Sequence, residues 1–167
     1  MSTLVKHLQF LIAALVLSVA FQSNANTEER FPTHPDAQMT PGKLCSNGTT
    51  RRYPEGIPYC NRNVERGLKA DIFKAYDEDL GFETRQMNRG DFKIDHYIPL
   101  CAGGSNSIEN LWPQHRTVFA ITDPMEPLVC EKMSEGVLKQ AEAIELIKRG
   151  KNNLEQVPEI IDYLEGL

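Results

Sequence analysis

The stretch that most constrains the fold is residues 94–114, where two short apolar runs flank a Gly-Gly-Ser-Asn turn. Apolar runs of this length on either side of such a turn predict a hairpin-like pair of strands. We expect residues 92–100 to form the first arm and residues 109–112 to form the second. Pro99 and Pro113 should end regular pairing, because proline cannot donate a hydrogen bond to a strand ladder.

The predicted hairpin would place Asp95, His96 and Asn110 close together. A carboxylate and an amide oxygen are hard ligands that suit Mg²⁺ or Mn²⁺. A neighbouring histidine can be neutral near pH 7 and can accept a proton from water. A metal ion and a general base together can hydrolyse a phosphodiester bond. The sequence therefore predicts Asp95 and Asn110 as metal ligands and His96 as the base.

Each of these side chains also has a structural interpretation. Asp95 could form an ion pair with an arginine, His96 could be a strand-end histidine, and Asn110 could brace the loop by bonding backbone groups. Adjacent strand residues point to opposite faces. Asp95 and His96 can therefore converge on one site only if the strand ends or bulges at that point.

The motif as a whole resembles the HNH endonucleases. Asp-His-x-Ile-Pro-Leu, Gly-Gly-Ser-Asn and Asn-Leu-Trp-Pro follow one another in residues 94–114. A looser resemblance over residues 59–147 is to secreted bacterial HNH proteins with an Asn-Leu-Trp-Pro motif. The resemblance implies an α+β fold built on a ββα-metal finger with additional helices. It also implies a metal-dependent endonuclease with His96 as base and with Asp95 and Asn110 in the site.

The chain departs from the HNH pattern at its third position. Many members of the family carry a histidine in the following helix, where this chain has Val118 and Phe119. His115 comes early and is expected either to contact the metal or a phosphate, or to be an exposed surface histidine. Glu126 comes late and is expected to cap a helix rather than to bind metal. A two-ligand Mg²⁺ site completed by water would remain chemically reasonable.

The first 25 residues have the features of a secretory signal peptide. Lys6 and His7 precede an apolar run over residues 8–21, and small residues then offer a cleavage site before Asn26. The alternative is an uncleaved N-terminal anchor. A signal peptide predicts a periplasmic or secreted protein without stable membrane association after cleavage.

Export gives a meaning to the four cysteines. Because they are even in number and lie after the signal peptide, we expect two disulfides. A zinc site is discounted, because the chain has no Cys-x-x-Cys pair. Three pairings are open on the sequence itself. The resemblance favours Cys60–Cys130, leaving Cys45–Cys101, and the alternative is Cys45–Cys60 with Cys101–Cys130.

Four segments are expected along the chain. Residues 1–25 form the signal peptide, residues 26–42 a disordered or extended leader, residues 43–150 the nuclease domain, and residues 151–167 a helical tail. Helices are predicted over residues 63–76, with Asn63 as cap and Gly81 as stop, from Asp123–Glu126 onward, and over residues 137–149. Trp112 is expected to pack the hairpin onto the helices.

The charge balance argues mildly against nucleic-acid binding, since the formal net charge is −5. The charge is uneven, however, because ten Lys/Arg face eight Asp/Glu in residues 43–93, whereas six face twelve in residues 94–167. The residues that could line a phosphate-facing groove are Arg51, Arg52, Arg62, Arg66, Lys69, Arg85 and Arg89.

The function expected from the resemblance is hydrolysis of DNA, with RNA as a second possible substrate. Mg²⁺ or Mn²⁺ is the expected cofactor, and Zn²⁺ is less favoured. The alternative is a catalytically inactive HNH-like domain that binds nucleic acid or has a structural role after secretion. The sequence leaves the oligomeric state undetermined.

Overall fold

A computed structural model of the chain describes residues 30–167. The predicted signal peptide, residues 1–25, lies outside the described residues. The fold is α+β, with helices around two separate two-stranded sheets, as the sequence predicts. The strands are β1 (Thr50–Arg52), β2 (Ile57–Tyr59), β3 (Phe92–His96) and β4 (Leu111–His115). The helices are α1 (Arg66–Leu80), α2 (Arg116–Thr122), α3 (Met125–Glu135), α4 (Gln140–Asn152) and α5 (Val157–Glu165).

The predicted central hairpin is formed by β3 and β4, which pair antiparallel from Phe92–His115 to His96–Leu111. The prediction that Pro113 ends the second arm is wrong, since Pro113 pairs with Ile94 inside the ladder. A two-stranded ladder leaves alternate backbone N–H groups facing outward, so a proline can occupy such a position.

The turn between the two strands depends on its two glycines. Gly103 has a φ of 87°, in the left-handed region that favours glycine. A Cβ atom on Gly104 would lie 1.8 Å from the backbone oxygen of Ile98. Only glycine allows the chain to come this close to the end of the first arm.

The predicted first helix is present, although its start is displaced. Ile72, Phe73 and Tyr76 form its buried face, and Gly81 ends it in a left-handed conformation. The prediction that Asn63 caps the helix is wrong, because α1 begins at Arg66 after Glu65.

Two apolar clusters hold the molecule together. The first lies among α3, α4 and α5 and includes Met125, Val129, Ile147 and Ile160. The second joins α1 to the β3–β4 hairpin and α2, and it surrounds Trp112, which is fully buried. The packing role predicted for Trp112 is therefore confirmed.

The C-terminal helices belong to the same packed unit. Helix α3 begins within the predicted start region at Met125, and Gly136 ends it. Helix α4 covers Gln140–Asn152, later than the predicted residues 137–149. The predicted boundary between residues 150 and 151 thus falls inside α4. The C-terminal segment 151–167 is helical over most of its length, and α5 packs into the first apolar cluster.

The described part of the leader, residues 30–42, is packed against the domain. It contains no helix or strand, and a turn over residues 37–39 is closed by a hydrogen bond from Thr40 N–H to the backbone oxygen of Asp36. Thr40 is buried and its hydroxyl group donates a hydrogen bond to the backbone oxygen of Leu111. Phe31 stacks on His115, with 4.0 Å between the ring centroids. For these residues the disordered alternative does not hold.

The disulfide pairing favoured by the resemblance is wrong. Cys45 pairs with Cys60, and Cys101 pairs with Cys130. The β1–β2 hairpin brings the first two cysteines together, and the turn after β3 packs against α3 at the second pair. Two disulfides fit a protein of an oxidising compartment. No helix within residues 30–167 is long and apolar enough to cross a membrane.

Candidate functional site

The two neighbouring residues Asp95 and His96 point in different directions. Strand β3 continues in regular register through His96, without a bulge at this point. Successive side chains therefore lie on opposite faces of the strand. The Asp95 carboxylate meets the helical side of the molecule, where Lys151 lies, whereas the His96 ring contacts Asn106. The prediction that both side chains converge on one site with Asn110 is wrong.

Asp95 is held by two ammonium groups. The Nζ atom of Lys151 lies 2.6 Å from Oδ2 of Asp95 and 2.6 Å from the backbone oxygen of His96. Lys93 lies 3.2 Å from the other carboxylate oxygen of Asp95. Asp95 is 6% exposed and the Lys151 side chain is fully buried. The ion-pair alternative is thus realised with lysines rather than with an arginine.

Two further carboxylates complete this cluster. Glu126 lies 2.5 Å from Nζ of Lys151, and Asp123 lies 2.5 Å from Nζ of Lys93. Oxygen atoms of Asp95, Asp123 and Glu126 all lie within 4.8 Å of one another, a spacing that could hold a metal ion. Glu126, expected to act only as a helix cap, belongs to this group.

Charge pairing dominates the protonation states in the cluster. Burial by itself would raise the pKa of Asp95, but the charges of Lys151 and Lys93 outweigh it and keep that pKa below its ordinary value. Burial opposes the charge of Lys151 as well, and the two carboxylates nevertheless raise its pKa to about 12. Burial raises the pKa of Glu126. The charge of Lys151, which Glu126 shares with Asp95, lowers this pKa but does not fully offset the effect of burial.

Asn110 braces the turn and is not available as a metal ligand. Its Oδ1 atom accepts a hydrogen bond from the backbone N–H of Ile98 at 2.9 Å. Its Nδ2 atom donates to the backbone oxygens of Ile98 and Ser105, each at 2.9 Å. Because the side chain is fully buried and its amide is fully engaged, the ligand role predicted for Asn110 is wrong. The bracing alternative is the one observed.

The His96 ring is fixed by Asn106. The Nδ2 atom of Asn106 donates to the backbone oxygen of Asn61, which turns its Oδ1 atom toward the histidine. Nε2 of His96 lies 3.0 Å from that oxygen and must be the donor. Nδ1 therefore carries the lone pair, and it has no hydrogen-bond partner among the described residues. Burial lowers the pKa of His96, so the ring is neutral near pH 7.

His115 does not join the other candidate residues. In the hairpin register it pairs with Phe92, at the opposite end of the ladder from His96. Its Nδ1 atom accepts a hydrogen bond from the backbone N–H of Thr117 at the start of α2. The ring also stacks on Phe31. The surface alternative for His115 is wrong because the residue is buried, and the metal or phosphate role stays a prediction.

Asn106 separates the His96 ring from a polar cleft of about 350 Å³. The cleft lies between the start of the β1–β2 hairpin and the segment that leads from β2 to α1. His96 itself is only 2% exposed. A substrate in the cleft would therefore reach the ring through a movement of Asn106.

Sequence reasoning did not identify Lys151, Lys93 or Asn106. Lys151 lies 56 residues from Asp95, and nothing local marks a lysine near the end of an amphipathic helix as buried. Asn106 stands in the quoted Gly-Gly-Ser-Asn motif, where it was assigned only to the turn. An apolar face of α4 that runs through Ile147 to position 151 was the available signal for Lys151.

No protein-family model matches the chain, and neither a curated protein nor a solved structure shows significant similarity to it. The functional conclusion therefore rests on the site and on the motif resemblance.

Proposed function

We propose that the protein hydrolyses phosphodiester bonds in nucleic acid, with His96 as the general base. The observation that carries the proposal is the state of the His96 ring. It is neutral, its Nε2–H is held by Asn106, and its Nδ1 lone pair has no protein partner. Because Nδ1 is also buried, it would have to be uncovered before it could accept a proton from a water molecule that attacks phosphorus.

The order of the elements around the histidine supports this proposal. The β3–β4 hairpin is followed directly by α2, which is the strand–strand–helix order that the HNH resemblance implies. His96 occupies the last residue of β3, the position that the resemblance gives to the base. We propose a ββα finger on this basis.

The acidic cluster is the place where a divalent ion could bind. Asp95, Asp123 and Glu126 offer the oxygen ligands that Mg²⁺ and Mn²⁺ prefer. Lys93 and Lys151 already offset two of the three negative charges, so an ion would have to displace them. When bound there, it would supply positive charge beside the strand that carries His96.

A second candidate function is favoured by the burial of the site. Because His96 lies behind Asn106 and is 2% exposed, an HNH-like domain that binds nucleic acid without cleaving it is also consistent with the structure. The two candidates differ in one measurable property, which is turnover.

The test is cleavage of supercoiled plasmid and of single-stranded oligonucleotides. The purified protein is incubated with Mg²⁺ or Mn²⁺, with and without EDTA, beside the His96→Ala variant. We expect nicking that falls by about 10²-fold or more in the variant. His34→Ala is the matched control, since His34 is exposed and its Nδ1 atom lies 3.2 Å from the backbone oxygen of Pro35.

The possible results separate the candidates. Equal cleavage by wild type and His96→Ala would remove the enzymatic proposal. A protein that retards oligonucleotides on a gel and leaves them intact would be the binding domain. Circular dichroism of His96→Ala shows whether any loss of cleavage comes with loss of fold.

A further inference from the structure

The cleft beside Asn106 is built from neutral hydrogen-bonding groups. The side chains along its walls include Asn47, Thr49, Tyr59, Asn61, Asn63 and Asn106. None of the described residues that line the cleft carries a carboxylate. In a chain with a net charge of −5, this is a surface from which negative charge is absent.

Positive charge is concentrated around the same cleft. Arg62 stands between the lining residues Asn61 and Asn63, and its charge acts on the His96 ring. Arg51 and Arg52 follow the lining residue Thr50 within β1. These arginines are exposed, and within residues 30–167 none of them forms an ion pair with a carboxylate.

Other arginines that the sequence analysis assigned to a phosphate-facing groove are engaged elsewhere. Arg85 forms ion pairs with Asp77 and Glu78, and Arg89 donates to the backbone oxygen of Phe92. The basic surface available to a ligand is therefore narrower than the sequence suggested. It is centred on the β1–β2 hairpin and Arg62.

One wall of the cleft also offers a stacking surface. The Arg52 guanidinium lies 3.4 Å from the centroid of the Tyr59 ring. Aromatic rings and arginine planes are the surfaces on which unpaired bases stack in single-strand binding proteins. The Cys45–Cys60 disulfide joins the two segments that form the walls, so their separation is fixed by a covalent bond.

The size of the cleft favours a single strand over a duplex as its ligand. A volume of about 350 Å³ is at the lower end of the range for small-ligand pockets and is far too small for a duplex to enter. His96 lies below the cleft, behind Asn106. An unpaired strand could enter the cleft and bring a phosphate to the Asn106 amide.

We propose that this cleft binds a single strand of nucleic acid, with a phosphate on Arg62 and a base on the stacked Arg52–Tyr59 pair. The inference deepens the proposed function and rests on it for the meaning of the nearby His96. Binding itself is measurable without hydrolysis, so the two proposals can fail separately.

The experiment is fluorescence anisotropy in EDTA, with a labelled single strand of about 12 nucleotides as DNA, the same strand as RNA, and the DNA duplex. The disulfide-bonded mature chain is used. Arg62→Glu is compared with Arg149→Glu, which makes the same charge change on α4 among the acidic residues Glu142, Glu145 and Glu159. Asn63→Asp provides a second cleft variant that changes charge without changing side-chain size.

We expect the single strands to bind at least about fivefold more tightly than the duplex, and Arg62→Glu to weaken binding at least about fivefold. Arg149→Glu should stay within about twofold of wild type. The slope of log Kd against log salt should fall by about 0.7 in Arg62→Glu, the amount for one single-strand phosphate contact.

The proposal is overturned if the duplex binds as tightly as the single strand, or if Arg62→Glu and Asn63→Asp bind like Arg149→Glu. If the single strand binds as expected and no cleavage is seen, the proposed hydrolase activity is rejected and the proposed single-strand site is retained. If cleavage depends on His96 and is unaffected by Arg62→Glu, the proposed hydrolase activity is retained and the proposed single-strand site is rejected.

Discussion

Lys151 and Asp95, 56 residues apart in the sequence, form a buried ion pair with 2.6 Å between Nζ and Oδ2. The same ammonium donates to the backbone oxygen of His96. One lysine from α4 thus binds both the side chain and the main chain at the end of β3. The end of the His96 strand is therefore held by a lysine that lies just beyond residue 150, where the sequence analysis ended the nuclease domain.

Removal of the Lys151 charge should strongly destabilise the protein. Lys151→Met leaves the Asp95 carboxylate buried with only Lys93 beside it, and leaves Glu126 without its partner. Loss of one member of a buried pair costs about 3–5 kcal/mol. Urea denaturation followed by circular dichroism measures this loss. Lys139→Met, at an exposed position before α4, should stay within about 0.5 kcal/mol of wild type. Equal stability of the two variants would contradict a paired and buried Lys151.

Metal affinity should rise when Lys151 is removed. In wild type, two ammonium groups offset charge among Asp95, Asp123 and Glu126, and a divalent ion has to compete with them. We expect Lys151→Met to bind Mn²⁺ at least about tenfold more tightly, because removal of a like charge strengthens cation binding at close range. Electron paramagnetic resonance of free Mn²⁺ during titration measures the affinity. The double variant Lys151→Met/Asp95→Asn should not show this increase in Mn²⁺ affinity. A wild type that binds Mn²⁺ more tightly than Lys151→Met would contradict competition between Lys151 and the ion.

Asn110 offers a test between bracing and metal binding. Asn110→Asp keeps the oxygen that accepts from the Ile98 N–H but loses both donations to the oxygens of Ile98 and Ser105. Each unsatisfied buried group costs about 1–3 kcal/mol, so we expect a loss of at least about 2 kcal/mol. Thermal unfolding in EDTA measures it. A ligand role would instead give Asn110→Asp unchanged stability in EDTA together with stronger Mn²⁺ binding.

The pH dependence of cleavage should report the lowered pKa of His96. Burial lowers this pKa from 6.5, so the neutral ring that acts as base is dominant at pH 6.5 and persists below it. Cleavage rates should be level above pH 6.5 and should fall only as the pH drops through the lowered pKa. Initial rates between about pH 4.5 and 8 measure the profile. An acid limb centred above pH 6.5 would exclude His96 as the base.

The same shift has a consequence for stability with a defined sign. As pH falls below 6.5 the unfolded chain takes up a proton on His96 before the folded chain does. The contribution of His96 to the free energy of unfolding is therefore fully present above pH 6.5 and declines below it. Circular dichroism at each pH separates a change in rate from unfolding.

The two disulfides should differ in their effect on single-strand binding. Cys45→Ser/Cys60→Ser removes the link between the cleft walls and should weaken single-strand binding, whereas Cys101→Ser/Cys130→Ser should leave binding unchanged in the folded fraction. Both should lose about 2–4 kcal/mol of stability. Non-reducing peptide mapping establishes the pairing, and a Cys60–Cys130 peptide would contradict it.

Much of the fold could be predicted because the signals are local. The spacing of Ile72, Phe73 and Tyr76 marks the buried face of α1, and Gly81 marks its end. The Gly103-Gly104 turn marks the hairpin, since both the positive φ and the close approach to Ile98 require glycine. These features depend on neighbours within a few residues.

The site could not be predicted in the same way, because it depends on contacts between distant residues. Asp95 and His96 follow each other in the chain, but the regular register of β3 sends their side chains apart. Asp95 then meets Lys151, and His96 meets Asn106. The amide of Asn110 had two chemically sensible uses, and only the backbone geometry of the turn shows which one is realised.

The bond between Cys101 and Cys130 closes the chain into a ring that contains the Gly103-Gly104 turn, β4 and α2. A protease that cuts once anywhere inside this ring separates nothing, because both new ends remain attached through the sulfur atoms. After such a cut in an oxidising compartment, the His96 strand and the Lys151 helix would still belong to one covalently linked molecule.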